Sequence, residues 1–302
     1  IRLSQSIQEL LCCPICHAKL KTTAEQFECT DSACAVQYPV VNGIPVLINE
    51  QSSVFSFYDF ISHRKTFFGN TSGSKLKNAI RRSIPKIGKN IKGKANYRRF
   101  AEVLLGQSTA PRVLVIGGSI LGQGMESFAN HTAIEFVESD VSFGPRTMLI
   151  CDAHDIPFED RSFDGVIIQA VLEHVVDPYR CSEEIHRVLK EDGVVYAETP
   201  FMQQVHGGRY DFTRFTHLGH RRLFRRFEEI DSGAVCGPGM ALAWSYQYFL
   251  LSFTTSRKWR TLLQLFASLT SFYLKYFDYY LINKPGTLDA ASGYYFMGRK
   301  AE

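Results

Sequence analysis

The chain has 302 residues, 45% of them hydrophobic and 21% charged, with a formal net charge of +4. These are the proportions of a globular protein with a buried core, and the length admits one sizeable domain plus a small one. The opening residues, IRLSQSIQELL, lack a basic segment followed by a long apolar run, so no secretory leader is expected there and a cytoplasmic location is.

The first local signal is cysteine spacing. Cys13-Pro-Ile-Cys16 is followed, after twelve intervening residues, by Cys29 and Cys34, whereas Cys12, Cys151, Cys181 and Cys236 are scattered. Two thiolates on each of two tight turns suit one tetrahedral Zn2+ in a reducing compartment better than a disulfide framework. Four protein ligands leave no open position for water, so such an ion is structural. Four buried free thiols are the other reading. Residues Tyr38 to Ile48 then read YPVVNGIPVLI, two short apolar strands flanking an Asn-Gly turn. CPIC, the second cysteine pair and YPVVNGIPVLI, spanning about residues 8–50, together resemble the small zinc-ribbon family of methyltransferase activator proteins. The resemblance implies a ribbon fused in cis to a catalytic partner, with Cys13, Cys16, Cys29 and Cys34 as metal ligands. The proline after Cys13 favours it over the adjoining Cys12.

Residues 51–100 read as a basic connector. Between Ile61 and Ala101 stand 12 Lys or Arg and no acid, leaving the rest of the chain with 22 basic against 30 acidic side chains. Such a run is a solvated linker or a segment attracted to polyanions, either RNA or anionic lipid.

From Arg112 the pattern changes. Arg112 to Ile116 is a short apolar run, as expected of a parallel strand buried on both faces, and it enters the glycine-rich Gly117-Gly118-Ser119-Ile120-Leu121-Gly122-Gln123-Gly124 before a predicted helix. Ala133–Val137 reads as a second strand with Asp140 just past its end, where an acid accepts ribose hydroxyls in doubly wound sheets. Then come CDAHDIPF (151–158), SFDGVIIQAVLEHV (162–175) and RVLKEDG (187–193), the last predicted to close a helix at Gly193. In this order and spacing, over residues 100–235, the motifs resemble the type 11 group of class I S-adenosylmethionine (SAM) dependent methyltransferases. The resemblance implies a Rossmann-like α/β sheet of seven strands with helices on both faces. It also implies that Gly117, Gly118, Ser119 and Gly122 wrap the methionine part of SAM. Asp140 would hold the ribose, Asp152 and Ala153 address the adenine, and Gln169 line the floor beneath the sulfonium. Val115 stands where the family has an acid, and Ser119 replaces a glycine. Glu173-His174 reads as a pair that shapes the pocket rather than reacting.

After a fifth strand (Val194–Glu198) the segment from Gln203 to Thr216, containing HGGRYDFTRFT, should face the methyl acceptor, because loops at the carboxyl ends of the strands form the site in this fold. His206 and Asp211 are the candidate catalytic residues, with His206 as general base. Tyr210 and Arg214 are candidate substrate contacts, Arg214 alternatively pairing with Asp211. The loop resembles type 11 proteins of glycan and polysaccharide biosynthesis, which points to O-methylation of a sugar, glycan precursor or small hydroxylated metabolite. Beyond it, Trp244–Phe253 and Leu262–Ile282 read as apolar helices, an insertion at about residues 240–285 of a catalytic domain spanning 101–302. Lys275 and Asp278 interrupt the second run, which otherwise has the length of a membrane span. A lid, a homodimer surface or peripheral contact with the inner membrane face fits it, and Gly293–Arg299 reads as the last strand. An RNA methyltransferase and a non-catalytic scaffold are the competing functions. The cofactors implied are SAM and structural zinc.

Overall fold

The computed structural model describes residues 1–23, 25–64, 84–206 and 208–301. Five cations of the basic connector (Lys65, Lys75, Lys77, Arg81 and Arg82) lie outside the described residues, and its reading as a polyanion-attracting run lies there with them.

The chain opens with a one-turn helix, α1 (Gln5–Gln8), and an antiparallel ladder of β1 (Leu20–Thr22), β2 (Gln26–Cys29), β3 (Gln37–Val41) and β4 (Ile44–Leu47), with Asn42-Gly43 turning the last hairpin. A short helix, α2 (Phe57–Ile61), starts where Asp59 accepts the Ser56 backbone N–H at 3.0 Å. Helix α3 (Gly93–Gln107) then spans the drawn limit between connector and catalytic domain. The body follows as β5 (Arg112–Ile116), β6 (Glu135–Asp140), β7 (Leu149–Cys151), β8 (Phe163–Gln169), α4 (Pro178–Val188), β9 (Leu189–Pro200), α5 (His217–Leu223) and β10 (Phe227–Cys236). The chain ends with α6 (Pro238–Leu251), α7 (Arg257–Ser271), α8 (Leu274–Leu281), α9 (Thr287–Ala290) and β11 (Gly293–Lys300).

Seven of these strands lie in the order β7-β6-β5-β8-β9-β11-β10, with β11 antiparallel to both its neighbours and the other pairings parallel. The strands are apolar on both faces because both are covered. Val113 and Val115 of β5 pack with Tyr97, Phe100 and Leu104 of α3, while Leu114 and Ile116 pack on the other side with Cys181 and Ile185 of α4. This is the expected Rossmann-like sheet. The N-terminal ladder is part of it: Val46 and Leu47 of β4 pair parallel with Ile150 and Cys151 of β7, extending the sheet to eleven strands. Leu3, Ile7, Leu11, Phe27 and Tyr38 are buried in the same core as Leu149, Phe158 and Phe163.

The local structure departs from expectation at several points. No helix follows the glycine-rich turn; residues 117–134 are turns. Gly124 has φ +91°, and a Cβ there would lie 2.7 Å from the Gly93 carbonyl carbon, so the segment is held by contact with α3 rather than by its own ladder. The helix predicted to end at Gly193 stops at Val188, because Leu189 turns extended (ψ 139°) and pairs with Phe163, placing Gly193 inside β9. Asp140 is the last residue of β6 rather than the residue beyond it.

The long apolar run near the C-terminus is two helices, and its charges face inward. Asp278 accepts the N–H groups of Gly239 and Met240 at 2.7 and 2.9 Å, capping α6, and the Lys275 ammonium donates to the Lys86 carbonyl. Among the described residues no helix is long and apolar enough to cross a membrane.

Candidate functional site

Two knuckle turns bring the N-terminal cysteines together. Cys13 accepts from the His17 N–H at 2.9 Å, and Asp31 accepts from the Ala35 N–H at 2.8 Å, with His17 and Ala35 both at positive φ. The sulfurs of Cys13, Cys16, Cys29 and Cys34 all lie within 4.8 Å of one another, with Cys13 to Cys34 at 3.7 Å and Cys16 to Cys29 at 3.4 Å. A tetrahedral ion at Zn–S distances near 2.3 Å needs sulfurs about 3.8 Å apart, so the set fits zinc. Cys12 is outside the cluster; it is buried, and burial pushes its thiol up to about 12.

At the carboxyl ends of the parallel strands lies a cavity walled by Gly117, Asp140, Asp152, Ala153, Val171 and Tyr210. Gly117 leaves β5 with φ +78°, and a Cβ on it would lie 2.3 Å from a Val171 methyl, so only glycine fits. Asp140 is buried, and burial raises its carboxyl above the ordinary range against the pull of the Ser119 N–H, 3.0 Å away. Asp152 is buried too. Burial pushes it up, but the His154 imidazole at 2.6 Å and the Ser53 hydroxyl at 2.5 Å outweigh that and hold it below the usual carboxylate range. Val54 and Phe55 line the same cavity, and the Phe55 ring sits 5.4 Å from that of Tyr210. The stretch just after the ribbon therefore completes the pocket.

A second cavity begins where the first ends. Ala170 lines both, and its φ of +55° is a left-handed conformation costly for a residue with a Cβ. This cavity is walled by Gly122, Gln169, Glu173, Glu198, His206 and Trp244, with Asn90 from the connector. The Gln169 amide donates to Glu198 at 2.7 Å, and its carbonyl accepts from the Tyr97 hydroxyl at 3.0 Å. Glu198 also accepts from Asn90 at 2.9 Å and from the Tyr196 hydroxyl. Burial nonetheless raises its pKa. Glu173 is 1% exposed, neither of its carboxylate oxygens has a hydrogen-bond partner among the described residues, and burial pushes it up to about 8.

The acceptor-side loop divides the remaining predicted residues. His206 points Nε2 at Glu173, 3.9 Å from Oε1, and its Nδ1 lies 3.2 Å from the Gln204 carbonyl. Asp211 accepts the His206 backbone N–H at 2.8 Å and is clamped by Arg214 at 2.5 and 3.0 Å. Arg214 also donates to the Gln203 and Gln204 carbonyls and lines neither cavity; the pairing alternative is the one observed. Tyr210 lines the first cavity rather than the second. Sequence reasoning passed over Ser53, Phe55, Asn90 and Glu198. The one usable hint was Val115, whose missing acid asks where the compensating charge lies.

Residues 117–197 match a family model described as a methyltransferase domain. The chain is similar to the ubiquinone/menaquinone biosynthesis C-methyltransferase UbiE of Citrifermentans bemidjiense, 28% identical over 33% of this chain and 49% of that protein. It is also similar to the demethylmenaquinone methyltransferase of Clavibacter sepedonicus, 32% identical over 32% of this chain and 38% of that protein. The chain thus spans under half the length of these two. A UPF0434 protein of Erwinia tasmaniensis is 36% identical over 17% of this chain and 83% of its own length. Among solved structures, the phosphoethanolamine N-methyltransferase 2 of Haemonchus contortus with SAM covers 85% of this chain and is covered over 62% of its own, at a TM-score of 0.44 and 17% identity.

Proposed function

We propose that this chain, which belongs to the class I SAM-dependent methyltransferases (type 11 group) and joins to that domain an N-terminal ribbon of the UPF0434 family, methylates a hydroxyl oxygen of a sugar, glycan precursor or small hydroxylated metabolite. The observation that carries this reading is the meeting of two cavities at Ala170, one lined by Asp140 and Asp152, the other by Glu173 and His206.

SAM supplies an electrophilic methyl group on a sulfonium. The residues present fit it: Asp140, Asp152 and Ala153 line one cavity at the strand ends, which supports Asp140 as the acid for the ribose hydroxyls and Asp152 with Ala153 as the neighbours of the base. Beyond the glycine-rich turn, the buried Glu198 supplies the negative charge that Val115 does not, beside Gln169 and Gly122 where the amino-acid end would lie. The chain's own contribution to the reaction is placement, an effect worth roughly 7–11 kcal/mol in favourable cases. His206, which lines the second cavity with its Nδ1 3.2 Å from the Gln204 carbonyl, is the base that takes the acceptor proton. Asp211, bonded to the His206 backbone and clamped by Arg214, positions that imidazole rather than reacting.

Methylation of a phenolic or quinol ring is the second reading, favoured by the names of the two relatives and by the apolar Met240 and Trp244 walls of the second cavity. The test is calorimetric titration with SAM and its demethylated product, then transfer of labelled methyl to glycan and phenolic acceptors by the wild type and His206→Ala. Binding of both nucleosides, with transfer lost in the variant, supports the proposal. No binding by folded protein would leave the scaffold reading, and methyl incorporation into RNA alone would favour the rival enzyme.

A further inference from the structure

We propose that the aromatic face of α7 and α8 seats the protein on an anionic lipid surface. Among the described residues, 25 large hydrophobic side chains are exposed, and 14 of them lie between Leu242 and Leu288. They are concentrated because α7 is built with its small residues inward: Ala267 and Ser271 are the residues it buries. Trp259, Leu262, Phe266 and Leu269 recur every three or four positions and form one stripe on α7, and Tyr273 in the following turn and Phe277 on α8 are exposed after it. Trp259 is 61% and Phe277 58% exposed. A contiguous apolar patch of this kind marks a surface that meets something other than water.

Charge selects the occupant. From Gly239 to Leu288 the chain carries five cations (Arg257, Lys258, Arg260, Lys275 and Lys284) and one acid, Asp278. Asp278 and Lys275 are both buried, so the exposed charges of this segment are Arg257, Lys258 and Lys284, and the first exposed acid beyond it is Asp289. Arg257 and Lys258 are exposed at the start of α7, and the Lys284 ammonium, just past α8, lies over the Tyr280 ring at 4.5 Å. Apolar side chains between cations, with Trp and Tyr among them, are the make-up of helices that lie in a membrane interface.

The position of the face ties it to the second cavity. Helix α6 presents Met240 and Trp244 to the second cavity and exposes Leu242 and Phe249 elsewhere on its surface. The same helix packs against both α7 and α8, so the cavity wall and the exposed face are joined through α6. The docking itself stands apart from the methyl-transfer reading.

The experiment is flotation of the full chain with vesicles of phosphatidylcholine alone or mixed with phosphatidylglycerol, at low and high salt. The protein is expected to float with the anionic vesicles, roughly tenfold more strongly than with neutral ones, and to lose that preference as salt rises. A Trp259→Ser/Phe266→Ser/Phe277→Ser variant should stay behind with its melting temperature and far-UV circular dichroism unchanged, since all three side chains are exposed. Arg257→Glu/Lys258→Glu, which leaves the apolar stripe intact, should cut the anionic preference by about fivefold per cation removed. Failure of the wild type to float, or equal flotation of the triple variant, overturns the proposal. So does a wild-type dimer in sedimentation that the triple variant converts to monomer, which would assign the face to a second copy.

Discussion

The Ser53 hydroxyl donates to the Asp152 carboxylate at 2.5 Å, tying the segment just past the ribbon to an acid that lines the first cavity. The bond is one of a series. Asn49 and Ser52 both reach Asp155, at 3.3 and 2.5 Å, and the Cys12 N–H donates to the Pro157 carbonyl at 3.1 Å. Cavity wall and cysteine cluster therefore share one framework.

Replacing Ser53 by Ala removes a donor to a buried carboxylate. Hydrogen bonds to charged groups contribute about 1.5–3 kcal/mol, so SAM should bind roughly tenfold more weakly or worse. Titration of Ser53→Ala and wild type with SAM measures this; equal affinities would mean that Asp152 is held well enough by His154 alone.

The two ends of the cofactor should separate by mutation. Asp140→Ala is expected to abolish binding of SAM and of adenosine alike while leaving the melting temperature near that of wild type. Glu198→Gln preserves the hydrogen-bonding shape but removes the charge. It should weaken SAM by about tenfold and leave adenosine, which has no ammonium group, unchanged. Unaltered SAM affinity in the first variant would remove the ribose assignment; equal losses for both ligands in the second would move Glu198 away from the amino-acid end.

Cys13→Ser and Cys34→Ser should each release zinc, because neither a three-thiolate remnant nor a serine hydroxyl replaces the fourth sulfur. Both variants should unfold at lower temperature, since the cluster is packed in the main core, and both should bind SAM less well through residues 49–55. Elemental analysis decides the first point: full zinc occupancy in both variants overturns the ribbon ligand set.

His220 should subtract stability on mild acidification, against the opposite contribution of Glu173, whose carboxyl burial pushes up to about 8. His220 is fully buried between the rings of Phe215 and Phe224, its ring nitrogens have no hydrogen-bond partner among the described residues, and burial pushes it down to about 3. In the unfolded chain its pKa returns to about 6.5, so between those values the unfolded state binds the extra proton and is favoured. The contribution is absent above about pH 6.5 and grows to about 2 kcal/mol of lost stability near pH 5. His186, pushed down to about 4 by burial and then by Arg226, acts in the same direction. Denaturant unfolding of wild type and His220→Leu at neutral and acid pH should differ by this slope, the variant losing less stability on acidification; equal slopes would place the effect elsewhere.

Much of this molecule is determined by short-range pattern. The cysteine spacing, the Asn-Gly hairpin and the apolar runs of the parallel strands depend on a few adjacent residues, so the ribbon, the sheet and the position of Gly117 could be read directly, while Asp140, expected just past a strand, is its last residue. What lies between elements could not be read so. Ser53 meets Asp152 across 99 positions and Asn90 meets Glu198 across 108, pairings created only when β4 adds to β7 and the connector crosses the strand ends. The charges of Lys275 and Asp278 look like breaks in an apolar run, yet they are buried fastenings that leave the aromatic stripe facing outward. Periodicity tells which side chains share a helix face, but which face is covered depends on what the rest of the chain brings against it.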